Sequence, residues 1–198
     1  MPVFDKAQAT ELIRKRRSIY PAQFAEVPVN RSIIEEMLEN ANWAPTHRIT
    51  EPWRFVVFSG AGLKKLAAFQ SQLYKEKSTA AGNFDEGKFE KLATKPMKAS
   101  HIIAIGMARD TKESVPEVEE LSSVAMAVQN MYLTATAHGI GCYWGSGGVT
   151  YMEEAKPFFG LGEKDKLLGF LYVGNLKSDK WPEGRRKSIT DKVIWVND

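Results

Sequence analysis

The sequence predicts a single folded domain that mixes helices with short buried strands. Three observations carry this expectation. Apolar runs of strand length lie at Trp53–Ser59, Ser100–Ala108 and Lys166–Gly174; the stretches between them show helical spacing; and the composition is that of an ordinary globular chain. At 198 residues, 43% hydrophobic and 26% charged, the chain can bury one sizeable core, completed by itself or against a partner.

Lys+Arg 27 against Asp+Glu 24 leaves a formal charge of +3, too small a basic excess to suggest nucleic acid. No run approaches the roughly 18 apolar residues of a membrane span. The N-terminal segment carries charges where a signal peptide has its apolar core. The single cysteine, Cys142, has no partner for an internal disulfide and no zinc-like flanks. A cytoplasmic protein without membrane, nucleic-acid or metal partners is therefore expected.

Asp5 can cap a first helix, with Gln8 at the capping-box position and Leu12 and Ile13 as its apolar edge. The helix runs into Arg14-Lys15-Arg16-Arg17-Ser18. Cations there suit the negative end of a helix dipole, and they equally suit an anion, since arginine forks and the Ser18 hydroxyl can hold a phosphate. A second helix is expected from Ser32, in a capping box with Glu35, carrying the stripe Ile33, Ile34, Met37, Leu38 and Ala41 and ending at Pro45.

The loop from Trp43 through Pro45, Thr46, His47 and Arg48 to Glu51, Pro52 and Trp53 is more specified than a connector needs. His47 there is either a surface histidine or a ligand contact beside Trp43. Residues Gly62 to Lys77 read as an amphipathic helix, whereas Ser78 to Lys98 reads as a polar flap that could set substrate selectivity. Lys112 to Glu120 reads as a linker. Ser122–His138 is apolar almost all round, a helix wrapped in a core or between subunits, and Gly139 is placed to stop it.

The chain should then turn through Ile140–Trp144 into Gly145-Ser146-Gly147-Gly148, where backbone N–H groups can approach a flat or anionic ligand without an intervening Cβ. The alternative is a plain loop between two elements. Pro157 to Gly162 reads as a turn with an apolar plug. The tail beyond Asn175 carries a second cationic cluster, Arg185-Arg186-Lys187, and a last apolar stretch, Val193–Val196. Should folding bring Arg16 and Arg186 together, a phosphate is the natural occupant.

These landmarks, in this order, resemble the flavin-dependent nitroreductases. The likeness rests on Arg16-Arg17-Ser18, on Ala44-Pro45-Thr46-His47 followed by Glu51-Pro52-Trp53-Arg54-Phe55, on the small-residue helix Ser122–His138, on Gly139-Ile140-Gly141-Cys142-Tyr143-Trp144, and on Gly169-Phe170-Leu171-Tyr172-Val173-Gly174 before a basic tail. The resemblance implies an α+β fold over residues 1–198, with a central, mostly antiparallel sheet flanked by helices in an interlocked homodimer that holds FMN at shared sites. It implies that Arg16, Arg17, Ser18 and Arg186, with Arg185 the less favoured tail residue, hold the flavin phosphate. Trp43 and His47 would reach the partner's flavin, and Trp144, Gly145, Ser146 and Gly147 would pass the ring edge. The sequence departs from many relatives at Tyr20 and Glu51, where they carry a basic residue and a glutamine.

The implied activity is transfer of hydride from NADH or NADPH through flavin N5 to a nitro, quinone or related acceptor in a ping-pong cycle, the protein supplying position and electrostatics. No general acid or base is assigned. No Gly-x-Gly-x-x-Gly follows a strand, so a separate Rossmann site is not expected. Two rival readings stay open: a hydrolase or transferase with Ser146 or Cys142 as nucleophile, and a non-enzymatic protein whose basic clusters bind a polyanion.

Overall fold

The computed structural model describes residues 4–197, so that residues 1–3 and 198 of the expected domain lie outside the described residues. Strands β1 (Trp53–Ser59), β2 (His101–Met107), β3 (Gly141–Gly145) and β4 (Lys166–Gly174) form one sheet in the order β1-β2-β4-β3. Every neighbouring pair is antiparallel. Five α-helices surround it: α1 (Lys6–Lys15), α2 (Arg31–Asn42), α3 (Ala61–Ala80), α4 (Glu86–Thr94) and α5 (Glu117–Ala137). This is the α+β arrangement expected, with helices flanking an antiparallel sheet.

Strand β2 is buried at every position because both its faces are covered. Side chains alternate across a strand, so Ile103 and Ile105 enter one core while Ile102 and Ala104 enter another. The first core is filled by Met37 and Ala41 of α2 and by Val124, Ala127, Val128 and Met131 of α5. Leu63, Leu66 and Leu73 of α3 fill the second, with Phe159 and Phe170. A central strand sandwiched in this way reads as a continuous apolar run, which is why it was legible.

Local chemistry sets most element ends. The Asp5 carboxylate accepts from the amides of Ala7 (2.8 Å) and Gln8 (3.1 Å), capping α1. At the far end of α5, Gly139 takes φ +68°, while its amide bonds Thr136 O (3.0 Å) and that of Ile140 bonds Ala135 O (2.8 Å), closing a Schellman stop.

Five sequence expectations change. Helix α1 ends at Lys15, with Arg16 as its cap and Arg17 and Ser18 outside it. Asn30, not Ser32, caps α2, because the Asn30 side chain lies one residue before the first turn and accepts from Ser32 N (3.1 Å). Helix α5 starts at Glu117, inside the expected linker: fully buried Glu120 pairs with Arg109 and accepts from Asp110 N (2.8 Å), tying the first turn to the end of β2. The expected flap at Ser78–Lys98 is the end of α3 followed by α4, whose Asp85 cap accepts from Lys88 N (2.6 Å), and a short turn at Lys95–Lys98. Finally, Gly141–Gly145 is an edge strand and no turn, because it pairs with β4 from Gly174 to Phe170.

The tail beyond β4 runs over the surface, and Ile194, Trp195 and Val196 are exposed on the described chain. Among the described residues no helix is long and apolar enough to cross a membrane.

Candidate cofactor site

The end of α1 and the tail are fastened together. Trp181 Nε1 donates to Lys15 O (2.6 Å), and Arg17 Nε donates to Pro182 O (3.0 Å). Arg17 Nη1 also reaches Arg14 O (2.6 Å) and Arg16 O (2.7 Å), so this guanidinium serves as the clamp. A Cβ at Gly184 would displace this guanidinium, so a larger residue there would disturb the clamp. The clamp brings Arg16, Arg17 and Arg186 onto the wall of one cavity of about 1200 Å³. Among the described residues neither Arg16 nor Arg186 takes part in an ion pair. Arg186 Nη1 donates only to Arg185 O (2.7 Å). Ser18 follows in extended backbone, exposed, and bridges to Cys142 of β3.

A residue the sequence reading passed over joins this cluster to β3. The Arg16 guanidinium lies 5.4 Å from the centre of the Tyr132 ring, and the Tyr132 hydroxyl accepts from Trp144 N (2.7 Å). Burial raises the Tyr132 phenol above its ordinary value, against smaller opposing effects of the Ser18 hydroxyl and the Trp144 amide. Strand β4 carries a bulge where its register against β2 shifts between Ile105 and Gly106. There Leu168 O accepts from Trp144 Nε1 (3.0 Å), and Gly169 adopts φ +124° with Gly145 O against it, leaving no room for a side chain. The bulge thus locks the indole in place.

Alternation along β3 then divides the site. Cys142 and Trp144 pack toward α5, whereas Tyr143 packs on the α3 side. Gly145, Ser146 and Gly147 line a second cavity of about 490 Å³, with Gln70, Lys95, Tyr143 and Tyr172 among its walls. Lys95 Nζ sits 4.8 Å from the Tyr143 ring centre and 4.5 Å from that of Tyr172. Desolvation lowers its pKa, and the Lys91 charge lowers it further. Burial, with Tyr143 alongside, pushes the Tyr172 phenol up to about 12. Tyr20 packs on Tyr143 with ring centres 4.7 Å apart, closing an aromatic edge.

Trp43 and His47 line neither cavity. Trp43 is 78% exposed, with Nε1 on Glu39 Oε1 (3.1 Å), and His47 Nδ1 is 2.6 Å from Glu119 Oε2. Their loop is strained: Arg48, Ile49 and Glu51 have φ of 54°, 54° and 44°, and Ile49 is 78% exposed. A β-branched residue in the left-handed region is costly and clusters at functional sites.

The nucleophile reading finds no chemistry. Cys142 is 1% exposed, and burial drives its thiol far above the range where a thiolate forms. Ser146 has no histidine hydrogen-bonded to it among the described residues, and His47, His138 and His101 bond Glu119, Glu36 and Ser100.

An antiparallel α+β sheet with one cavity between α1 and the tail and a second at the end of β3 is the class of protein this geometry defines. The chain belongs to the nitroreductase family, whose model, described as "Nitroreductase family", matches residues 13–175. It is 32% identical over 166 residues to the provisionally named NAD(P)H nitroreductase YdjA of Escherichia coli strain K12, covering 84% of this chain and 87% of that protein. It is 26% identical over 200 residues to nitroreductase NfnB of Mycolicibacterium smegmatis, covering 86% of this chain and 85% of that one. Among solved structures, a nitroreductase-like family protein from Bacillus cereus superposes with a TM-score of 0.82 at 27% identity over 100% of both chains. The crystal structure of FMN-dependent NfnB from Mycobacterium smegmatis in complex with NADPH shares the fold, with a TM-score of 0.73 at 19% identity over 98% and 100% of the two chains.

Proposed function

We propose that this protein is an FMN-dependent oxidoreductase that uses NADH or NADPH to reduce nitro, quinone or related acceptors. The observation that carries the reading is the convergence of Arg16, Arg17 and Arg186, drawn from opposite ends of the chain, on one cavity. None of these three cations has a carboxylate partner among the described residues, and a phosphate is the anion that guanidinium forks suit best. Arg16, Arg186 and Ser18, whose hydroxyl also reaches the Tyr132 phenol, would hold the FMN phosphate while Arg17 fixes the tail. Trp144, Gly145, Ser146 and Gly147 would border the ring, with backbone and a fixed indole in place of flexible side chains. Lys95 is the cation available to a reduced, anionic ring, held free of any carboxylate by its tyrosine neighbours. FMN, when bound, accepts hydride from the nicotinamide and passes the electrons on, so no side chain is assigned as general acid or base.

In this reading two copies pair, and Trp43 and His47 act on the partner's FMN. The exposed apolar residues Ile49, Ile194, Trp195 and Val196 and the strained loop support a covered face of this kind. The single, deeply buried Cys142 suits a reducing cytoplasm.

The test is direct. Purified protein is incubated with FMN, desalted and examined by absorption, then treated anaerobically with NADH or NADPH. A yellow protein that bleaches is expected; one that stays colourless after incubation overturns the reading.

A further inference from the structure

We infer that the smaller cavity selects acceptors that carry a carboxylate as well as the group to be reduced. This rests on the proposed flavin reading and gives it a substrate class. The walls of the cavity include Lys88, Lys91 and Lys95 and the backbone of Gly145–Gly148, and no aspartate or glutamate lies among them. The three lysines stand at successive turns of α4 and its continuation, which puts them on one side of it. None of the three takes part in an ion pair among the described residues, although Lys77, Lys156, Lys164 and Lys166 all do.

An independent observation lies at the back of the cavity. Gln70 of α3 is 2% exposed, and its Nε2 has no hydrogen-bond partner. A buried amide donor without an acceptor is costly, and a ligand oxygen would satisfy it. Gln70 thus offers a neutral donor where Lys88 and Lys91 offer charge, and Lys95 faces the proposed cofactor ring. A carboxylate meets both demands, because each of its oxygens accepts more than one hydrogen bond. Its charge also relieves the mutual repulsion of lysines that no acid neutralises. The space, about 490 Å³, suits a single substituted ring. For a nitro acceptor the reaction balances simply: the nitro group gains a hydride and a proton and releases water to become nitroso, and the nicotinamide is oxidised.

The experiment compares kcat/KM for para-nitrobenzoate and for neutral para-nitrobenzyl alcohol in the FMN-loaded protein, in the Lys88→Gln/Lys91→Gln variant, and in Gln70→Leu. The native protein should favour the carboxylate by about tenfold at low salt, and the double variant and added salt should each bring the ratio toward one. Equal use of both acceptors by the native protein overturns the inference. So does a variant that leaves the acceptor ratio unchanged while shifting preference between NADPH and NADH, since the lysines then read the nicotinamide's phosphate. A protein that holds no FMN would fail the functional reading instead, and calorimetric titration with benzoate then decides the cavity alone. Benzoate binding that weakens about tenfold in the double variant supports the site, and no binding overturns it.

Discussion

The guanidinium of Arg16 rests over the ring of Tyr132, whose hydroxyl in turn holds the backbone amide of Trp144 at 2.7 Å. Tyr132 therefore couples the cationic cavity to β3. Tyr132→Phe keeps the ring under Arg16 and orphans the Trp144 amide, at a cost of about 1–3 kcal/mol. Thermal unfolding should show that loss, and a flavin fluorescence titration should show FMN affinity falling by several fold. Unchanged affinity would mean that Trp144 is held by the sheet alone.

The two cations at the end of α1 should differ sharply. Both line the cavity, but Lys15 lies exposed at the last position of the helix, while Arg16 is half-buried beside Tyr132. Arg16→Ala should weaken FMN binding by about tenfold or more, the loss expected for one charge-assisted contact, and Lys15→Ala should leave it within about twofold. Comparable affinities for the two variants would refute the phosphate assignment.

Lys95 carries a stability cost that pH should reveal. Its folded pKa lies below the ordinary value of 10.5, chiefly through desolvation, so the unfolded chain binds that proton more tightly. Stability therefore rises as pH climbs from the folded pKa toward 10.5, where the penalty ends. Lys95→Met should melt higher than the native protein at pH 7, and the difference should shrink as pH approaches 10.5. The same variant should bind reduced FMN less well. A residue that costs stability and serves binding is the trade expected of a site.

Cys142 should be inert in the native state. Buried within β3 with its thiol held protonated, it should resist a disulfide-exchange reagent at pH 8 and react in full once the chain is unfolded in guanidinium. Rapid labelling of the native protein would reopen the nucleophile reading.

The sequence by itself determined the elements whose signal is local. Strands β1 and β4 fall on Trp53–Ser59 and Lys166–Gly174 as expected, because a strand in a covered sheet needs apolar residues along its own length. Asp5 and Gly139 mark their helix ends because capping is settled within a few residues. The residues proposed to hold the phosphate, Arg16, Arg17, Ser18 and Arg186, were legible as types, since forked cations beside a hydroxyl suit an anion. Only the tertiary structure decided that Arg16, Arg17 and Arg186 line one cavity, with Trp181 and Arg17 fastening the tail. It also decided that Gly141–Gly145 is a strand, because its hydrogen bonds come from β4 and leave no mark on its own composition. Tyr132 and Lys95 stayed hidden for the same reason: one sits in an apolar helix and the other in a polar run. What singles them out is the Arg16, Trp144, Tyr143 and Tyr172 groups that folding brings against them. Periodicity and capping are written within a segment, whereas a cavity is written between segments, in distances that no single stretch of chain contains.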